Sequence, residues 1–176
     1  SSSAREGNPN VGNTRAVSFE DAMNEALRLY ETGNFDAAER ICTTLTNHNP
    51  KSSAVHNLMG VVLHSQGKNA EAVKKLQRAI HLNDQNPQYF SNLGEFERRR
   101  GKLDEATRAL NRALTLDPKS IMALNNLGIV QYDKRNYEKA IEYYQKAIAL
   151  DGGKPETHNN IGNAFRALEK NDEALE

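Results

Sequence analysis

Small and apolar residues recur along this chain at a fixed interval of 34 residues. One small column is Ala38, Ala72, Ala106, Ala140 and Ala174, and a second is Ala26, Gly60, Gly94, Gly128 and Gly162. With Ala38 placed at position 20 of a unit, five units open near Phe19, Ser53, Pro87, Ile121 and Pro155. Apolar residues then gather at position 7 (Met59, Leu93, Leu127, Ile161), position 24 (Cys42, Leu76, Leu110, Tyr144) and position 27 (Leu45, Ala79, Ala113, Ala147). Positions 4, 7, 8 and 11 share one helical face, and positions 20, 24 and 27 share another, because residues three and four apart stack on the same side. Each unit is therefore predicted to be two helices joined by a turn, unable to bury its apolar faces without its neighbours.

The turns carry their own signals. Gly33, Gly67 and Gly101 stand at position 15, where a left-handed residue ends the first helix. Pro50 and Pro118 stand at position 32, where proline stops the second. Arg135 and Glu169 replace the glycine in the last two units, and Asp84 and Gly152 replace the proline. Glu97 and Gln131 sit at position 11 and His56 and His158 at position 4, all on the packing stripe. The segments Asn126-Leu127-Gly128, Tyr137-Glu138-Lys139-Ala140 and Ala147-Ile148-Ala149-Leu150-Asp151 carry the pattern most fully.

This pattern resembles the tetratricopeptide repeat (TPR) family. The resemblance implies an all-α solenoid, a right-handed superhelix of helix–turn–helix hairpins with about four complete repeats and a truncated fifth. The repeats fall near 19–52, 53–86, 87–120, 121–154 and 155–176, within a domain running from 18 to 176. Residues 1–17, rich in Ser, Gly and Asn, read as a flexible, tag-like linker. Glu176 lies two positions past Ala174, so the fifth unit is expected to end early in a second helix opened by Asp172 and Glu173. That would leave Ile161, Phe165 and Leu168 short of cover, and solenoids normally finish in a polar cap, so the native chain is expected to continue.

Composition narrows the function. The chain is 26% charged and 38% hydrophobic with a formal net charge of zero. Such balance gives no electrostatic case for nucleic acid or an anionic membrane. No apolar run reaches membrane-spanning length, and the chain reads as cytoplasmic. The lone cysteine, Cys42, sits at a packing position and reads as a small buried hydrophobe. The five histidines show no metal-ligand spacing with it, and Gly67-Lys68 lacks the earlier glycine and the hydroxyl residue of a phosphate loop. No cofactor is expected, and no catalytic constellation is found in these residues.

The remaining side of the first helices offers the candidate site. At roughly 100° per residue, positions 2, 6, 9 and 13 lie opposite the packing stripe. Position 6 reads Asn24, Leu58, Asn92, Asn126 and Asn160, and position 5 beside it includes Asn57, Asn125 and Asn159. Asparagine is a poor helix former, roughly 0.6 kcal/mol worse than alanine, so propensity does not explain the repetition. A carboxamide both donates and accepts, and a row of them suits the backbone of an extended peptide. Arg98, Arg99 and Arg166 would add charge favouring an acidic stretch, and Tyr30 and Tyr132 would add apolar contact.

The ladder resembles the asparagine-lined TPR region of O-GlcNAc transferase and related glycosyltransferases, which implies backbone recognition by Asn24, Asn92, Asn126 and Asn160, with Leu58 as a departure. The carboxylate clamp of chaperone-binding relatives is not matched, since Met23, Leu27, Leu58, Gln88 and Asn92 occupy its positions. The preferred expectation is a protein–protein interaction scaffold binding an extended peptide in this groove. One alternative is the substrate arm of a larger glycosyltransferase with catalysis beyond Glu176. Another is self-assembly through the open C-terminal edge or the N-terminal tail.

Overall fold

A computed structural model describes residues 16–176. Among them the chain is helical, with no strand. The helices are α1 (Phe19–Glu31), α2 (Phe35–His48), α3 (Ser53–Ser65), α4 (Asn69–Leu82), α5 (Pro87–Arg99), α6 (Leu103–Leu116), α7 (Ile121–Asp133), α8 (Tyr137–Asp151) and α9 (Pro155–Leu175). The expected tag-like segment lies almost wholly outside the described residues.

Local chemistry sets the boundaries. Ser18, Ser52 and Ser120 cap α1, α3 and α7 by accepting from the Asp21, Val55 and Ala123 amides at 3.0, 3.4 and 3.2 Å. Asn86 caps α5 in the same way from Gln88 at 2.9 Å, and Pro87 takes the first helical position, where no amide is needed. Gly33, Gly67 and Gly101 turn the chain at φ of 80°, 79° and 76°. Arg135 makes the same turn at φ 62° without being glycine.

The fifth unit departs from the pattern. Asp172 and Glu173 do not open a second helix, because α9 runs unbroken through Glu169 to Leu175. A left-handed residue without glycine costs roughly 1–2 kcal/mol. At Arg135 the long α8 packed behind the turn offsets that cost. At Glu169 the helix continues and no such turn is made.

Packing follows the columns. The first helices α1, α3, α5 and α7 each lie against their own second helix, and each second helix lies against the first helix that follows. The first helices α1, α3, α5, α7 and α9 also touch in succession, whereas the second helices make no contact with one another. The first helices therefore line the inner side of the stack and the second helices its outer side. A large side chain at position 24 fills the space left by glycine at position 8. Cβ atoms added to Gly60, Gly94 and Gly128 would overlap Leu76, Leu110 and Tyr144 respectively.

Positions 3 and 10 complete the core, a role absent from the sequence reading. Val55, Tyr89, Ala123 and Thr157 at position 3 are buried, as are Val62, Phe96, Val130 and Ala164 at position 10. They face the preceding unit. Tyr89 Oη lies 3.1 Å from Ser53 Oγ, and the Phe96 ring stacks on His64 at 4.3 Å between centroids. In the first unit the same positions are Asp21 and Arg28, both exposed.

The polar residues on the packing stripe are each given a partner. His56 Nε2 lies 2.9 Å from the Pro50 carbonyl, and His158 Nε2 lies 3.0 Å from that of Gly152. Both histidines thus fasten the linker that enters their unit. Buried Glu97 accepts from Arg100 at 3.0 Å, and buried Gln131 accepts from Asn136 at 3.0 Å. Such pairing is what makes burial of polar groups tolerable.

Candidate functional site

The inner face is not a uniform ladder. Asn24 is exposed at one end, and Leu58, next in its column, is buried. Asn57 and Asn92 are half-buried and bonded to each other, Asn92 Nδ2 donating to Asn57 Oδ1 at 2.9 Å. Gln88 Nε2 donates in turn to Asn92 Oδ1 at 3.3 Å. Amides at this junction therefore hold neighbouring units together. Asn125 Oδ1 likewise accepts from Thr157 Oγ1 at 3.2 Å.

Farther along, the amides open onto space. Asn125, Asn126 and Asn160 line one recess of about 300 Å³ between α7 and α9. Met122 and Ile129 form its apolar wall, and Lys154 and Glu156 stand at its rim. Asn126 and Asn160 sit at the same level of successive first helices and are half-buried. The recess thus combines amide donors and acceptors with a small apolar surface, the mixture expected of a peptide-binding pocket. Met122 and Ile129 escaped the sequence reading. Their signal was two apolar residues at positions 2 and 9, on a side otherwise read as polar. Asn159, the remaining candidate amide, is exposed.

The candidate tyrosines and arginines take distinct places. Tyr30 packs on Phe35 with centroids 5.8 Å apart, and Tyr132 on Tyr137 at 5.2 Å, so each braces its own hairpin turn. Arg98 is held by Glu95 at 3.0 Å and by Asp133 at 3.2 Å, and Arg99 also binds Glu95 at 3.0 Å. Burial pushes the Glu95 carboxyl up, but hydrogen bonds from Arg98 and Arg99 outweigh it and hold the group below its ordinary value of 4.5. The charge of Arg98 is spent inside this cluster, whereas Arg99 stays exposed. Arg166 donates only to a neutral amide, Asn163 Oδ1.

Other parts of the molecule offer less. A recess of about 470 Å³ at the open end of the first hairpin is walled by Val17, Phe19, Ile41 and Leu45, and carries none of the ladder. Cys42 is fully buried, and burial pushes its thiol up to about 11, with Glu39 adding to the shift. It stays protonated and unreactive at neutral pH. Among the described residues no three His, Cys, Asp or Glu side chains gather as a metal site. No described helix is long and apolar enough to cross a membrane.

Two family profiles match within these units. One, described as tetratricopeptide repeat, covers residues 87–152, and another, described as TPR repeat, covers residues 60–96. The chain is built of tetratricopeptide repeats. Solved structures carry the same TPR fold. The protein MamA shares 24% identity at a TM-score of 0.73, over 89% of this chain and 86% of that one. PilF of Pseudomonas aeruginosa shares 21% identity at a TM-score of 0.78, over 86% of this chain and 69% of that one. A chain of the Cut9–Hcn1 hetero-tetramer of the APC/C shares 19% identity at a TM-score of 0.81, with 93% of this chain matched to 32% of that one. No curated protein matches. Likeness at these identities speaks for the TPR fold and leaves the partner to be argued from the groove.

Proposed function

We propose that this chain is a protein-interaction scaffold that holds an extended peptide on its inner face, gripped mainly where α7 meets α9. The observation that carries this reading is the shared recess. Three amides from two successive repeats open onto one pocket beside Met122 and Ile129. Amides of this kind pair with peptide N–H and C=O groups whatever the peptide's side chains, and the apolar wall accepts one side chain. At the second and third repeats the corresponding amides are bonded to each other, so that stretch supports the stack more than the ligand. The substrate-arm reading rests on the same asparagines and gains no separate support from their geometry.

Peptides selected from a displayed random library on the whole chain test the reading. Asn126→Ala with Asn160→Ala should weaken binding of the selected peptides by about tenfold or more, corresponding to one or two lost hydrogen bonds. The same double variant should unfold at equal or slightly higher denaturant, because alanine is the better helix former. Unchanged peptide affinity in the double variant would show that the amides are not the grip.

A further inference from the structure

Position 12 carries arginine twice, with opposite surroundings. In the third unit Arg98 is neutralised by Glu95, which stands at position 9. In the fifth unit position 9 is Asn163, and Arg166 bonds this uncharged amide instead. Lys170, one turn farther along α9, joins Arg166 around a recess of about 390 Å³ whose opposite wall is Tyr132 and Tyr137. Among the described residues neither cation has a carboxylate within salt-bridge reach, although Lys68, at the position matching Lys170, is paired with Glu39. Two cations, two tyrosines and the amides of Asn163 and Asn171 therefore surround a space with no counter-charge of its own.

This recess adjoins the amide pocket along the same pair of helices. The amide pocket is centred near Asn126 and Asn160, and the cationic one near Tyr132 and Arg166. Six residues of helix separate the two levels, about 9 Å at 1.5 Å per residue. An extended chain covers that distance in about three residues.

We propose that the junction of α7 and α9 is a two-part site, in which the cationic recess takes an oxyanion carried by the bound peptide about three residues from the side chain seated on Met122 and Ile129. This deepens the peptide-groove reading and rests on it. The oxyanion is a carboxylate or a phosphate, since guanidinium, ammonium and phenol hydroxyl donors suit either. Arg166 and Lys170 are exposed, so replacing them does not disturb the core.

The test uses the same displayed library on the whole chain, wild type and R166E/K170E. Selected wild-type peptides should carry Asp or Glu about three positions from an apolar residue. Their affinity should fall about tenfold or more in R166E/K170E and be kept in R166K/K170R. Selection on R166E/K170E should replace the acid by Lys or Arg. Resynthesising one selected peptide with phosphoserine in place of its acid distinguishes the sources: tighter binding assigns the recess to a phosphorylated residue, equal or weaker binding to a carboxylate. Peptides that depend on Asn126 and Asn160 yet show no acidic preference, or bind R166E/K170E unchanged, overturn this inference and leave the groove reading standing. Loss of the asparagine dependence overturns both.

Discussion

Gly60 and Gly162 hold the same position in their units, yet their surroundings predict opposite outcomes for alanine. A Cβ on Gly60 would overlap the Leu76 side chain and press on the Ala72 carbonyl at 3.2 Å. Gly60→Ala should therefore destabilise the protein by about 1–2 kcal/mol, overpacking outweighing the better helix propensity. A Cβ on Gly162 would meet nothing nearer than Arg166 Nη1 at 4.0 Å. Gly162→Ala should stabilise by about 0.5–1 kcal/mol. Denaturant unfolding of the two variants reads both signs. Glu95 supplies a pH prediction at the same scale. Its folded-state value lies below the ordinary 4.5, so its contribution is fully present above about pH 4.5 and is lost as pH falls through the lower folded value. Glu95→Gln should cost about 1 kcal/mol at pH 7, where Arg98 loses a charged partner, and less as the pH approaches 3, as thermal melts across that range would show. Much at this scale was legible in sequence. The glycine column and its large partners at position 24 share a period, and a period needs no three-dimensional information. The Asn57–Asn92 bond was not legible, because its partners are 35 residues apart and an amide reads alike whether solvated or paired.

The turn between paired helices shows how one position decides an element. Gly33, Gly67 and Gly101 adopt positive φ freely, Arg135 adopts it under strain, and Glu169 does not adopt it. Arg135→Gly should stabilise the protein by about 0.5–1 kcal/mol, relief of the left-handed strain exceeding the entropy glycine adds to the unfolded chain. Equilibrium unfolding would check it, and a loss of stability would mean that the Arg135 side chain makes up the strain elsewhere. The missing turn at Glu169 was beyond sequence pattern, since Asp172, Glu173 and Ala174 match a second-helix opening as well as their counterparts do. What decides is the apolar area that a second helix could bury, which its first residues do not reveal. Positions 3 and 10 were missed for a related reason. Their burial comes from the preceding unit, and in the first unit, where no described unit precedes, they are Asp21 and Arg28. Columns that each begin with a charged residue read as surface until the stacking is known.

Stability is shared unevenly along the described helices, and the candidate site includes α9, which buries little. A single buried cluster joins the first three units from Ala26 to Phe96, whereas α9 contributes Ala164 to a smaller cluster with Ala140, Ile141 and Tyr144. Helix α3 buries seven residues, but α9 buries only Thr157 and Ala164 despite being longer. In a linear array each unit is held by its neighbours alone, so local opening is governed by these local contacts. Backbone amides of α9 should therefore exchange with solvent faster than those of α3. A peptide lying across α7 and α9 adds contacts to this lightly packed helix. At a hundred times its dissociation constant it would contribute about 2.7 kcal/mol, which would slow exchange in α9 by about a hundredfold where opening breaks the site. Amides of α3 should change far less, because their opening does not release the ligand until the stack separates. Hydrogen exchange followed by mass spectrometry, with and without a library-selected peptide, measures the contrast. Protection centred on α1 to α3 would move the ligand to the other end of the inner face, onto Met23 and Leu27. Protection centred on α9 would mean that binding and ordering of the last helix are one event, so that partner affinity depends on how well α9 is packed as well as on the groups that touch the peptide.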